Sequence, residues 1–311
     1  MTTLYAIRKF FAMLLVGIMF LGVSKNGADP HTVLDGENCS LNFFVASDVH
    51  IEGNQYGKFK NFSRMLYDIK NNSAGTDAAV FLGDNTMNGQ DIESMFFYGA
   101  LNKVSPADNI LVALGNHDAG NGEGDYAKLS KRFVDYNNAF FNADIKKPYY
   151  YKVINGCYFI FLVTEESTVH EMAVTQAQLD FLKEAMELAS ADGKPIFVFN
   201  HHPLVVEKGE FLGSIEKILS EYKNVFYIFG HTHWTLNAGA GFYDYYYSNG
   251  NVLHVLNVPK FTDIADDDPT GENTGVGFAV EVYDDEVVLR ARDCYDGKWL
   301  ENFVNRVPIV K

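Results

Sequence analysis

Residues 110–118 read Ile110-Leu111-Val112-Ala113-Leu114-Gly115-Asn116-His117-Asp118. Five apolar residues make a run of strand length. The run ends, without a spacer, in a glycine that permits a sharp turn and in three side chains able to bind a metal or move a proton. With four positions specified, such a quartet arises from composition alone in roughly one chain of this length in a few hundred, so it reads as a site and not as ordinary turn chemistry. Outward from it, the apolar runs at 41–46, 78–82, 196–199 and 225–229 end in the same manner. They lead into Ser47-Asp48-Val49-His50, Gly83-Asp84-Asn85, Asn200-His201-His202-Pro203 and Gly230-His231-Thr232-His233. Asp48-x-His50 and Gly83-Asp84 are weak signals alone, because glycine followed by aspartate is common in turns. Their order, each after a strand, makes them one constellation.

A further apolar run covers 158–163. Segments with helical spacing lie between the runs, most clearly 175–190, where Leu179, Leu182, Met186 and Ala189 share a face behind Thr175 as N-cap. Residues 59–70, 91–103 and 125–138 are similar but less regular. Strands alternating with helices indicate an α/β domain. After residue 240, the runs 242–247, 252–255, 277–283 and 287–292 follow one another without helices and predict antiparallel strands, so the sheets are mixed. In open α/β sheets, ligands collect beyond the carboxyl ends of the strands, where all five motifs fall.

A chain of 311 residues with 47% hydrophobic content can bury one large core, and residues 41–311 read as a single catalytic domain. The net charge of −15 argues against tracking a nucleic-acid backbone, which requires clustered Lys and Arg. Residues 1–24 carry Arg8 and Lys9, then an apolar run at 10–23, with small residues Gly22 and Ser24 near its end. This is the pattern of a secretory signal peptide, and it predicts a secreted or extracytoplasmic protein, with an uncleaved signal anchor as the alternative. The run reaches only about two-thirds of the ~20 residues a membrane-spanning helix needs, so no stable span is expected after cleavage. Residues 25–40, including His31, read as a linker. Cys39, Cys157 and Cys294 lack the paired spacing of a structural zinc site. A Cys39–Cys294 disulfide and buried free thiols both remain open, and Cys39 is not placed for lipid attachment.

Carboxylate, imidazole and amide-oxygen donors without a thiolate suit divalent Mn, Fe, Zn or Co, and one carboxylate can bridge two such ions. Two divalent ions would bring about +4, against −2 from Asp48 and Asp84 and −1 from a bridging hydroxide. The local excess suits an anionic phosphoryl group in spite of the acidic surface.

The ordered set D-x-H, G-D, G-N-H-D, H-x-P and G-H-x-H, spanning residues 48–233, resembles the calcineurin-like metallophosphoesterases. The resemblance implies a four-layer αββα sandwich of two mixed β-sheets flanked by helices, and a dinuclear divalent metal centre. It implies that Asp48, His50 and His233 bind one ion, that Asn116, His201 and His231 bind the other, and that Asp84 bridges both. It further implies that His117 contacts the substrate phosphate and protonates the leaving group. His201, two residues before Pro203, is taken as the ligand in preference to His202. Purple acid phosphatases of this superfamily carry a tyrosine three residues after the bridging aspartate; here that position is Met87. The chain is therefore more similar to the general metallophosphoesterase branch.

The expected function is hydrolysis of a phosphodiester or related small phosphorylated substrate, with hydroxide as nucleophile. The alternatives are a phosphomonoesterase or nucleotide pyrophosphohydrolase on the same site, and a non-catalytic exported binding protein that keeps the fold. Asp118 is read either as orienting His117 or as a turn residue. Residues 119–148, with Gly120, Gly122, Gly124, Tyr126 and Tyr136, are a candidate flexible wall of the site. Trp234 and the cluster Tyr243, Tyr245, Tyr246 and Tyr247 can stack on a ring, although such a run is also ordinary strand composition. His170 and His254 read as surface or structural residues.

Overall fold

The computed structural model describes residues 3–20, 23, 29–261 and 275–311. Gly22 and Ser24, cited for the export signal, lie outside the described residues. The first sheet has six strands in the order β12-β11-β10-β1-β2-β3, comprising Lys298–Pro308, Glu286–Asp293, Val276–Val282, Leu41–Ala46, Ala78–Phe81 and Asn109–Val112. The second has the order β4-β5-β6-β7-β9-β8, comprising Tyr150–Ile154, Cys157–Phe161, Ile196–Phe199, Val225–Phe229, Val252–Asn257 and Gly241–Tyr246. In the first sheet β1, β2 and β3 are parallel and β10 to β12 antiparallel. In the second, β5, β6, β7 and β9 are parallel between antiparallel edges β4 and β8.

The side-chain period of two along each strand explains why these runs are continuously apolar. In β1, Leu41, Phe43 and Val45 face the second sheet, whereas Phe44 and Ala46 face helices. In β7, Phe226 and Ile228 lie between the sheets, and Val225, Tyr227 and Phe229 face the opposite helices. A strand buried on both faces has no room for polar alternation. Between the sheets, the Phe43 ring meets Phe159 and Phe197 edge-on, with centroids 5.0 and 4.9 Å apart. Helices α1 (Thr3–Met19), α2 (Tyr56–Lys70), α3 (Asp91–Val104) and α4 (Tyr126–Phe141) cover the first sheet, while α5 (Gln176–Ala189) and α6 (Ser214–Leu219) cover the second. The result is the expected αββα sandwich of two mixed sheets.

Three features differ from the sequence reading. Residues 252–255 are expected to be antiparallel; β9 does pair antiparallel with β8 but is also inserted beside β7 in parallel register, with Val225 opposite Leu253. Pairing partners are not encoded in a strand's own apolar pattern. The edge strands β4 and β12 were missed, because their largely solvent-facing residues carry no continuous apolar run. His31, read as linker, is buried at 3% exposure. It sits between the rings of Phe44 and Trp299, with Nδ1 3.7 Å from Asp68. Leu34 N donates to Glu281 Oε2 at 2.9 Å, so this stretch lies on the domain.

Helix α1 packs on α3 with Ala12 and Val16 buried. The contact depends on Gly99, where a Cβ would stand 2.9 Å from Val16 Cγ2. Arg8 pairs with Asp91 at 3.2 Å, and Lys9 Nζ donates to Ala139 O at 2.9 Å. Among the described residues, no helix is long and apolar enough to cross a membrane. Cys39, Cys157 and Cys294 are free thiols.

Candidate metal centre

Every motif falls beyond the carboxyl end of a parallel strand: Asp48 and His50 after β1, Asp84 after β2, Asn116 and His117 after β3, His201 after β6, and His231 and His233 after β7. The two sheets bring these ends to one edge of the sandwich. Five of the donors have backbones in the left-handed region: Asp48 (φ 56°), His50 (47°), Asp84 (48°), His231 (66°) and His233 (55°). Such conformations are uncommon outside glycine and persist only where the surroundings over-determine them. Here they are held across strands. Asp48 N donates to Gly83 O, His50 N to Asp84 O at 2.9 Å, and His231 N to Asp48 Oδ2 at 3.1 Å.

The glycine before each of Asp84, Asn116 and His231 has a steric reason. A Cβ on Gly83 would stand 2.9 Å from His201 Cβ, and one on Gly230 would overlap Ser47 Oγ at 1.8 Å. On Gly115 it would lie 2.2 Å from both Asp84 N and Asp84 Oδ1. Gly115→Ala should therefore push Asp84 out of place and lower stability by about 1–3 kcal/mol, the usual penalty of overpacking. A denaturation midpoint and metal stoichiometry equal to the wild type would contradict this account.

Two groups of donors share one residue. Ligand atoms of Asp48, His50, Asp84 and His233 lie within 4.8 Å of one another, as do those of Asp84, His201 and His231. Asn116 extends the second group, with Oδ1 3.0 Å from His231 Nδ1, while its Nδ2 donates to Asn121 Oδ1 at 3.0 Å. That bond sets the amide so that oxygen, the donor atom for a metal, faces the cluster. The sequence offered no signal for Asn121.

The atoms at the centre converge as though on shared cations. His50 Nε2 and His233 Nε2 face each other at 3.1 Å. Asp48 Oδ1 is buried without a hydrogen bond, although His233 Nε2 is 3.2 Å and His201 Nε2 3.9 Å away. His201 Nε2 is likewise buried and unbonded, 3.1 Å from Asp84 Oδ2. For Asp48 Oδ1 and His201 Nε2, lone pairs aimed at a common point produce this closeness without a hydrogen bond. Burial alone would raise both aspartates, but the His201 charge and the surrounding imidazoles outweigh it and hold Asp48 and Asp84 well below the usual carboxylate range. Burial opposes protonation of His201, yet Asp84 and Asp48 push it up to about 9. Burial, reinforced by the charge on His201, brings His231 down to about 4. Two ionised carboxylates drawing positive charge into a dry pocket, with imidazole and amide donors around them, fit a dinuclear divalent centre.

His117 stands at the rim. Its N donates to Asp84 Oδ1 at 2.8 Å, its ring meets that of His50 edge-on at 4.7 Å, and its Nδ1 is 2.6 Å from Met87 O. The carbonyl of Met87 therefore fixes Nδ1 as the protonated nitrogen, a role that only the fold reveals.

Asp118 does not touch the His117 ring. Its carboxylate accepts hydrogen bonds from Gly115 N, Asn85 N, Asn85 Nδ2, Thr86 N and Thr86 Oγ1 at 2.7–3.2 Å, tying the loop after β2 to the loop after β3. Burial, with the charge of Asp84 added, raises its carboxyl in spite of these donors. Asp118→Ala would strand buried donors and should cost on the order of 3 kcal/mol. A denaturant titration showing a loss below about 1 kcal/mol, the value of one ordinary hydrogen bond, would contradict that role.

His202 is fully buried, with neither ring nitrogen hydrogen-bonded among the described residues and its ring tilted 36° against that of His231 at 4.5 Å, and burial holds it well below the usual histidine range. His254 bonds Asp244 Oδ1 at 2.8 Å between the Phe226 and Phe242 rings, as a structural residue. His170 is exposed, with its ring 6.1 Å from that of His231. The expected flexible wall at 119–148 is corrected. The turn at Gly122 and Gly124 is pinned by Ser167 Oγ, which accepts both N–H groups at 3.1 Å. Tyr136 lies in the core beneath α4, its hydroxyl 3.0 Å from Asp91 Oδ1.

The profile of the calcineurin-like phosphoesterases matches residues 41–235. The chain belongs to that family. This phosphoesterase is accordingly a metal-dependent phosphoric ester hydrolase. No curated protein has a significant sequence match to it. Among solved structures it is similar to a dimetal phosphatase from Danio rerio, with 13% identity, a TM-score of 0.60, and coverage of 88% of this chain and 100% of that one. It is also similar to a purple acid phosphatase from yellow lupin seeds, with 14% identity, a TM-score of 0.55, and coverage of 86% of this chain and 53% of that one. A third, the anchor in the inner membrane complex of Plasmodium, has 14% identity and a TM-score of 0.52, with coverage of 88% of this chain and 90% of that one. At these identities the likeness is one of fold.

Proposed function

We propose that this phosphoesterase is exported and hydrolyses a phosphodiester or a related small phosphorylated substrate. In this reading Asp48, His50 and His233 would hold one divalent ion, Asn116, His201 and His231 would hold the second, and Asp84 would serve both. The observation that carries it is the single carboxylate shared by two donor groups. Two bound ions, of Mn, Fe, Zn or Co, would supply Lewis acidity and lower the pKa of a water for attack at phosphorus. The chain's own residues do the rest. His117, with Nδ1–H held on the Met87 carbonyl, presents Nε2 as the atom that protonates the departing oxygen. Buried Asp118 keeps the Asp84 and His117 loops in register. The complete donor set supports catalysis over a binding protein that merely keeps the fold.

The test is an activity screen of the purified chain supplemented in turn with Mn, Fe, Zn and Co. The substrates are bis-p-nitrophenyl phosphate, p-nitrophenyl phosphate, cyclic nucleotides and nucleotide diphosphate esters. The diester is expected to be cleaved faster than the monoester. Faster cleavage of the monoester would favour the phosphomonoesterase alternative, and no cleavage of any substrate would end the reading. Export rests on the pattern in residues 1–24. Fractionation of expressing cells, with sequencing of the recovered N-terminus, would overturn it if the intact chain stayed in the cytoplasm.

A further inference from the structure

A cavity of about 580 Å³ opens beside the donor cluster, with His231 in its wall. Leu204 and Val205, from the turn after β6, line one side, and Trp234, just past the last donor, lines another. Tyr243 and Tyr245 on β8 supply aromatic surface. Among the described residues, no Asp, Glu, Lys or Arg lines it, although the chain carries a net charge of −15. Its volume lies in the range of about 300–1,000 Å³ found for small-molecule sites, which are typically apolar with a few polar groups at one end.

The walls carry apolar surface that water would otherwise cover. Val205 is 77% exposed and Trp234 51%. Clustered exposed apolar side chains of this kind mark binding surfaces. Trp234 is also held in place. Its ring lies over Gly239, where a Cβ would stand 3.4 Å from Cε3. Its backbone N–H donates to Thr232 Oγ1 at 3.3 Å, and that hydroxyl in turn donates to Asn257 Oδ1 at 3.1 Å. An ordered indole beside an uncharged cavity is a surface on which a planar or hydrocarbon group can lie at little entropic cost.

We propose that this cavity is the subsite for an uncharged, apolar organic group, aromatic or hydrocarbon, esterified to the phosphoryl group that the enzyme cleaves. The proposal rests on the two-metal reading for the position of that phosphoryl group. His231 belongs to both the donor cluster and the cavity wall, so a substrate with its anionic end at the donors extends its organic group along Val205 and Trp234. A charged headgroup would lose its hydration there without meeting a carboxylate, ammonium or guanidinium among the described residues.

The experiment is calorimetric titration of the metal-loaded full chain with non-hydrolysable phosphonates: methyl-, octyl- and naphthylmethylphosphonate. Neutral 1-naphthol is titrated separately against the chain with and without metal. One added methylene in an apolar pocket typically gives about 10-fold or more in discrimination, so octyl- or naphthylmethylphosphonate should bind at least tenfold more tightly than methylphosphonate. The difference between these two identifies a chain or a ring as the preferred group. Trp234→Ala and Val205→Asp should each remove most of the preference and weaken 1-naphthol binding; the second change, at an exposed position, leaves folding intact. Equal affinities for all three phosphonates with no naphthol binding would overturn the subsite and leave the hydrolase standing. Naphthol binding that both substitutions weaken, with no metal-dependent phosphonate binding, would sink the hydrolase reading while the apolar site stood. A preference unchanged in both variants would place the apolar group elsewhere.

Discussion

Asp84→Asn is expected to lower metal content and turnover together while the chain stays folded. Asp84 is the one residue common to both donor groups, and its Oδ1 also accepts from His117 N at 2.8 Å. Asparagine keeps the size and can still accept that bond, so the local fold has little reason to change. What it loses is the negative charge that, with Asp48, draws cations into a buried pocket. Mutation of a residue that only supports a ligand typically costs about 10–100-fold in metal affinity or activity, and loss of the shared carboxylate should exceed this. Elemental analysis of the purified variant should show both ions depleted, and kcat/KM should fall in parallel. Retention of two ions per chain with wild-type turnover would remove Asp84 from the centre.

The second large effect separates proton transfer from metal binding. His117 belongs to neither donor group, yet it touches both Asp84 and the His50 ring. His117→Ala should therefore leave metal stoichiometry intact and lower kcat by about 10²–10⁴-fold, the usual contribution of a positioned general acid. The loss should depend on the leaving group. It should be largest for alkyl esters, whose departing oxygen must be protonated, and smallest for p-nitrophenyl esters, whose anion leaves without help. A merely structural histidine would lower both rates equally, and that result would reassign His117.

Much of the architecture was legible from residues alone. Leu41–Ala46, Ile196–Phe199 and Val225–Phe229 are strands buried on both faces, and double burial writes itself into sequence as an unbroken apolar run. The edge strands β4 and β12 are largely solvent-facing, and neither carries the unbroken apolar run of a strand buried on both faces. His31 was invisible for a related reason. A polar residue buried by partners from Phe44, Asp68 and Trp299 looks, in isolation, like any residue of a polar stretch. Asp118 shows the same limit within the site. Its place beside His117 left an orienting role and a turn role both open, and its bonds to Asn85, Thr86 and Gly115 favour the second, because the chain turns between the two side chains.

The sequence by itself determined the donor types, their order and their position after strands, since metal chemistry restricts the residues and strand ends restrict the spacing. It shows glycine before Asp84, Asn116 and His231, but that these positions need glycine, because a Cβ has no room between two strand ends, is visible only in three dimensions. Tertiary structure alone decided that the Met87 carbonyl and Asn121 set the ring orientation of His117 and the amide orientation of Asn116, and that Trp234 and Val205 wall an apolar cavity open to His231. Each of these depends on distances between segments far apart in the chain, set by how two sheets pack and not by what any one segment contains.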